Sequence, residues 1–196
     1  VRSATAMLQR ALWLSRDQLD ISQLVQSTEE SFIQHVCDKD KNPATQALGN
    51  GLFGPQRKLY KRIVAFDAKS HPMLHKTLAG LPYKQLVRVS DCFATRLAKK
   101  TGCFIEQNEI LIDAPPKQRE IEFSLQVRCR DQFGRGEHRW RSLAEISPVT
   151  ESLAHLQFDY LVKQVRIFGS HDAFAAVQNT TGLEDILLEA SNDALM

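Results

Sequence analysis

The sequence predicts an α+β fold, a helical N-terminal part followed by a small antiparallel or mixed sheet with flanking helices. Two observations carry that prediction. Apolar residues recur at helical spacing through the first half of the chain, with Met7, Leu8, Ala11 and Leu12 as the opening example, and beyond residue 110 the period falls to two. A third bounds the size: 196 residues with 43% hydrophobic content bury the core of one domain, or of one domain with a small satellite.

The first third reads as helices. Ser27 with Glu30 three residues later has capping-box spacing ahead of Phe32, Ile33 and Val36. Asn42-Pro43 reads as a cap followed by proline at the first helical position. Ala44, Ala47 and Leu48 follow as the stripe, and Gly49, Gly51 and Gly54 as the end. Ser70-His71-Pro72 offers another start, and Pro82 opens a longer helix toward Lys100 with Gly102 where a C-terminal cap belongs. Ile110 to Asp113 reads as a short buried strand. Ile121, Phe123, Leu125, Val127 and Cys129 alternate with polar residues, predicting one long half-buried strand with Phe123, Leu125 and Val127 inward. Gly134 and Gly136 turn the chain back through Trp140. A helix is expected near residues 150–157, then a strand from Val165 to Phe168 closed by Gly169, then a helix past Ser170 and a frayed amphipathic tail after Gly182. The chain divides on this reading into a helical segment over 1–55, an α+β lobe over 56–182 and a tail over 183–196.

Residues 57–64 are the most informative stretch, because they set Arg57, Lys58, Lys61 and Arg62 on a strand-like run directly after a helix that ends in glycine and proline. In an extended chain Arg57, Leu59, Lys61 and Ile63 share one face, and Lys58, Tyr60, Arg62 and Val64 the other. Neighbouring cations on one side then stand about 7 Å apart. That spacing suits two oxygens of a polyphosphate, for which arginine adds a planar fork of donors. An edge strand charged against edge-to-edge pairing would carry the same residues.

The net charge of +2 is too small to announce a nucleic-acid or membrane-surface protein without a local patch. No apolar run approaches the roughly 20 residues that span a bilayer. Cys37, Cys92, Cys103 and Cys129 are widely spaced with no Cys-x-x-Cys pair, as expected for reduced thiols in a soluble cytoplasmic protein. The opening residues are already helical in pattern, which leads to the expectation that the chain begins inside a larger fold.

No nucleotide-binding glycine loop, nucleophile elbow or thiol-hydrolase signature appears, so no catalytic centre is assembled. His171-Asp172 resembles half of a metal site, but it lacks the further ligands a metal needs, and Ser170 before it reads as a helix cap. His71 and His75 stand at i, i+4 without a completing carboxylate or thiol, so an exposed polar face is expected. Arg128, Arg130, Arg135, His138, Arg139 and Arg141, with Phe133 and Trp140 interleaved, form a second basic patch able to hold single-stranded nucleic acid. Asp131 and Glu137 dilute it toward an ordinary solvated hairpin.

The helix with Ala6-Met7-Leu8, the acidic helices around Thr28-Glu29-Glu30 and the run Gln56 to Arg62 follow one another in a recognisable order. With Ile110 to Pro116 and Gln164 to Phe168 they resemble the C-terminal portion of HD-domain phosphohydrolases over roughly residues 4 to 180. The likeness is nearest to the group that includes the SAM-and-HD-domain deoxynucleoside triphosphate triphosphohydrolase. In those enzymes a His, a His-Asp pair and an Asp bind the catalytic metal on helices preceding the matched region. The resemblance therefore implies a divalent metal for the parent enzyme and no catalytic or metal residue, and no cofactor, in this stretch. It implies a regulatory or assembly lobe, partnered by its own N-terminal HD catalytic domain and by further copies in a homo-oligomer. Arg57 and Lys61 match the Arg and Lys of a regulatory nucleotide site. Nucleic acid bound through residues 128–141 and a purely structural lobe are the alternatives. Trp13 and Leu14 are expected in an apolar patch on the first helix.

Overall fold

A computed structural model describes residues 1–37, 42–115, 125–130, 138–152 and 163–196. The order is α1 (Arg2–Ser15), α2 (Ile21–Gln26), α3 (Glu29–Cys37), α4 (Pro43–Phe53), β1 (Lys61–Phe66), α5 (Pro72–Leu78), α6 (Tyr83–Thr101), β2 (Ile110–Asp113), β3 (Gln126–Arg130), β4 (His138–Ser142), α7 (Leu143–Ile146), α8 (Pro148–Ser152), β5 (Val165–Gly169), α9 (His171–Val177) and α10 (Leu183–Leu195). The α+β class predicted from the sequence is the class observed, with small antiparallel sheets after an N-terminal run of helices.

The chain forms two compact units that interleave along the sequence, one made of Val1–Ala65, Pro82–Asp113 and Arg166–Met196, the other of Phe66–Leu81 and Ala114–Val165. In the first, the strand order is β1-β5-β2, and β2 pairs antiparallel with β5 so that Leu111 stands opposite Phe168 and Asp113 opposite Arg166. Ala6, Met7 and Ala11 of α1 close over Leu111 and Phe168 together with Leu48 and Leu52 of α4. Helix α6 buries Val89, Phe93, Ala94 and Leu97, and its Ser90 hydroxyl donates to the Ile110 carbonyl at 2.6 Å. Gly102 ends α6 in the left-handed conformation (φ 68°), as its place in the sequence predicts.

Residues 183–196 are no frayed tail. They form α10, which packs on α6 through buried Ile186, Leu187, Ala190 and Ala194, and Arg96 of α6 pairs with Glu189 and Asp193. The first cap also moves: Ser27 closes α2, and Thr28 accepts from the Ser31 amide to open α3. Asn42 caps α4 as expected, accepting from the Ala44 amide at 2.9 Å, but α4 runs through Gly49 and Gly51 and stops only at Gly54. Trp13 is half-buried, edge-on to Tyr83 at 5.7 Å with the Arg16 guanidinium over its ring at 4.2 Å, so little of it joins an open apolar patch.

In the second unit, β3 and β4 pair antiparallel with Arg128 opposite Trp140 and Val127 opposite Arg141. Leu125, expected inward, is 58% exposed, because none of the described residues covers that position. Ile121, Phe123 and residues 131–137 of the predicted hairpin, and the later part of the predicted helix over 150–157, lie outside the described residues. His71 is the residue before α5 rather than part of it, and sits edge-on to Phe66, while His75 Nε2 lies 2.8 Å from the Lys163 carbonyl oxygen.

Candidate functional site

The basic segment leaves α4 at Gly54 and enters β1 only at Lys61, so residues 57–60 are ordered without being strand. Side chains and helix backbone hold them. The Lys58 amide donates to the Gly51 carbonyl at 2.9 Å, a close approach that favours glycine, since a Cβ on Gly51 would stand 3.0 Å from the Lys58 carbonyl oxygen and press on it. Both backbone groups of Tyr60 are taken by α1: its carbonyl accepts from the Ser3 hydroxyl at 2.6 Å and its amide donates to the Met7 Sδ at 3.4 Å. The Tyr60 hydroxyl donates to the Asn108 carbonyl at 3.1 Å. Burial first, and then the nearby Glu109 carboxylate, push this phenol up to about 12, which keeps it a proton donor at neutral pH.

The facing wall comes from the turn before β2 and the start of α9. Glu109 accepts at one carboxylate oxygen from the Glu106 amide (2.9 Å) and at the other from the Ser170 hydroxyl (2.7 Å), while its carbonyl accepts from the Ser170 amide (2.8 Å). Ser170 in turn caps α9, accepting from the Ala173 amide at 3.1 Å, as the sequence predicts. These elements line a cleft of about 880 Å³, to which the basic segment contributes Arg57, Lys58 and Lys61, and the turn and α9 contribute Glu106, Glu109 and Asp172. Such a volume falls within the 300–1,000 Å³ or so of small-molecule sites.

Arg57 and Lys61 thus come together in one cleft, though for a different reason than strand alternation. Lys58, which alternation puts on the opposite side, lines the same cleft because residues 57–60 do not follow a pleat. Arg62 is exposed and is not among the lining residues. Among the described residues no carboxylate lies within ion-pair distance of Arg57, Lys58 or Lys61, and the Lys61 ammonium stands 5.5 Å from the centre of the Phe174 ring. His171 and Asp172 also line the cleft, but no group of three metal-ligating side chains occurs among the described residues. Sequence reasoning missed Glu106, Asn108 and Glu109, whose only local signal is an acid-rich turn before a buried strand.

The second basic patch is divided by its own pairing. Directly opposed residues share a face, so Arg128 and the exposed Trp140 stand on one face of the hairpin, and Arg141 with Val127 on the other. No helix among the described residues is long and apolar enough to cross a membrane.

No curated protein and no solved structure matches the chain. The profile of the HD associated region family matches residues 1–182, which takes in α1, the basic segment, the sheet and both walls of the cleft. By that match the chain belongs to the family of HD associated regions.

Proposed function

We propose that this chain is the C-terminal regulatory or assembly lobe of a metal-dependent HD phosphohydrolase acting on nucleotides, of the deoxynucleoside triphosphate triphosphohydrolase type, and that Arg57 and Lys61 hold the phosphates of a regulatory nucleotide. The observation that carries the reading is the cleft itself. Two exposed cations line a nucleotide-sized space, and among the described residues no carboxylate lies within ion-pair distance of either. A cation without a partner beside an open cleft offers a charge-assisted contact to an incoming anion, each worth about 1.5–3 kcal/mol. The nucleic-acid alternative draws less support, since the cations of the described hairpin are divided between its two faces, with Arg128 on the face of the exposed Trp140 and Arg141 on the other.

The test is calorimetric nucleotide binding in the full-length protein. Changing Arg57 and Lys61 together to Ala should weaken binding by about a hundredfold or more, from two lost contacts of that size. Arg62→Ala should change it little, and far-UV circular dichroism should show the fold kept by each variant. Equal losses from both variants would mean a diffuse electrostatic patch, and no loss from either would leave the charged edge as a solubility device.

A further inference from the structure

The cationic side of the cleft has one member more than the proposed contact uses, and we infer that Lys58 is a third phosphate-binding cation, so that the cleft grades its ligands by the number of linked phosphoryl groups. This rests on the reading that the cleft holds phosphate. Three cations occur within five consecutive residues, all three line the cleft and all three are exposed. The segment that carries them is fixed at both ends of its irregular part: the Lys58 amide on the Gly51 carbonyl, and the Tyr60 backbone on Ser3 and Met7 of α1. A segment held in this way loses less freedom on binding, so its charges act as a preformed row.

The facing wall sets where phosphates can lie. Glu106 and Asp172 line it with carboxylates, and Glu109 has both oxygens engaged, by the Glu106 amide and the Ser170 hydroxyl. Phosphoryl oxygens are repelled by those carboxylates and drawn to the row from Arg57 to Lys61. His171 also lines the cleft. A single phosphoryl group is too small to engage all three cations, whereas a linked chain of three can meet the Arg57 fork and both ammonium groups. Affinity should therefore rise in steps with chain length, and Lys58 should matter most for the longest ligand.

The experiment uses orthophosphate, pyrophosphate and tripolyphosphate as calorimetric probes of the full-length protein at fixed ionic strength, with wild type, Lys58→Gln and the Arg57→Gln/Lys61→Gln pair. Lys58→Gln should weaken tripolyphosphate about tenfold and orthophosphate less than about threefold. A Lys58→Gln protein that binds the whole series as wild type does, or loses affinity equally for all three, overturns the inference. If the Arg57/Lys61 pair loses binding while Lys58→Gln does not, the phosphate cleft survives without its third cation. If neither variant loses binding, the cleft reading falls with it. A nucleoside triphosphate titrated alongside separates the two sources of the same chemistry. Tighter binding than tripolyphosphate marks a nucleotide ligand, and equal binding marks a free polyphosphate; the Lys58 step is expected in both.

Discussion

Strand β2 and the run from Leu125 through β3 both carry apolar residues that suggest a buried face, yet they live in different environments. All four residues of β2 are buried, with Leu111 under Met7 and Ala6 of α1, and Ile110 tied through its carbonyl to Ser90 of α6. The hairpin leaves Leu125 58% and Trp140 64% exposed, and no residue of β3 whose side chain is described is fully buried. A two-stranded ribbon cannot bury a face by itself; it needs a layer laid against it. What the comparison teaches is that apolar alternation proposes a face, while a covering helix decides whether that face becomes core.

The comparison can be broken most forcefully in the first unit. Phe93 lies in the middle of α6 with no exposed surface. Replacing it with Ala removes a large fully buried ring, and the expected cost is about 3–5 kcal/mol in chemical denaturation. A cost under about 1 kcal/mol would mean that α6 is not the covering layer that separates the two regions.

A smaller effect sharpens the contrast through charge. Arg10 of α1 is buried and reaches Asp91 of α6 at 3.2 Å, with its Nε lacking any hydrogen-bond partner. Burial raises the Asp91 carboxyl above its usual 3.8, against the opposing pull of Arg10. The folded state then holds this proton at a pH where the unfolded chain has released it. Stability from Asp91 is accordingly highest at low pH and declines as pH rises from 3.8 through the raised value. Asp91→Asn removes that decline. The stability of the variant relative to wild type should therefore improve between about pH 4 and about pH 7, read from urea unfolding at each. A relative loss over that interval would mean that Arg10 outweighs burial.

Much of the fold was legible because the signals were local. Asn42-Pro43, Ser170 and Gly102 each mark a helix end by their own chemistry, and each stands where that chemistry predicts. The errors occur where distant residues decide. Nothing near Tyr60 in sequence announces that its backbone will bond to Ser3 and Met7, over fifty residues away, so residues 57–60 read as strand. For the same reason the charges of Arg57 and Lys61 were readable, but Lys58 was assigned to the wrong side, and Glu106 and Glu109 were invisible until the turn before β2 was brought across from them. Helix α10 lacks a side-chain cap and looked frayed; its order comes from the apolar face it buries on α6.

The smallest expected effect is the most direct test of the comparison. Leu125 has the alternation of a core residue and the exposure of a surface one, and the two properties predict opposite outcomes for Leu125→Ala. Were its side chain in a core, the change would cost about 2–5 kcal/mol. With 58% of the residue in solvent, little apolar area returns to water and no enclosed cavity is left, so the expected change stays within about 0.5 kcal/mol, the range of ordinary surface substitutions. Its backbone role is untouched, because the carbonyl that accepts from the Leu143 amide at 2.8 Å belongs equally to alanine. A loss of several kcal/mol would show that Leu125 is covered in the folded protein and that β3 follows the same rule as β2.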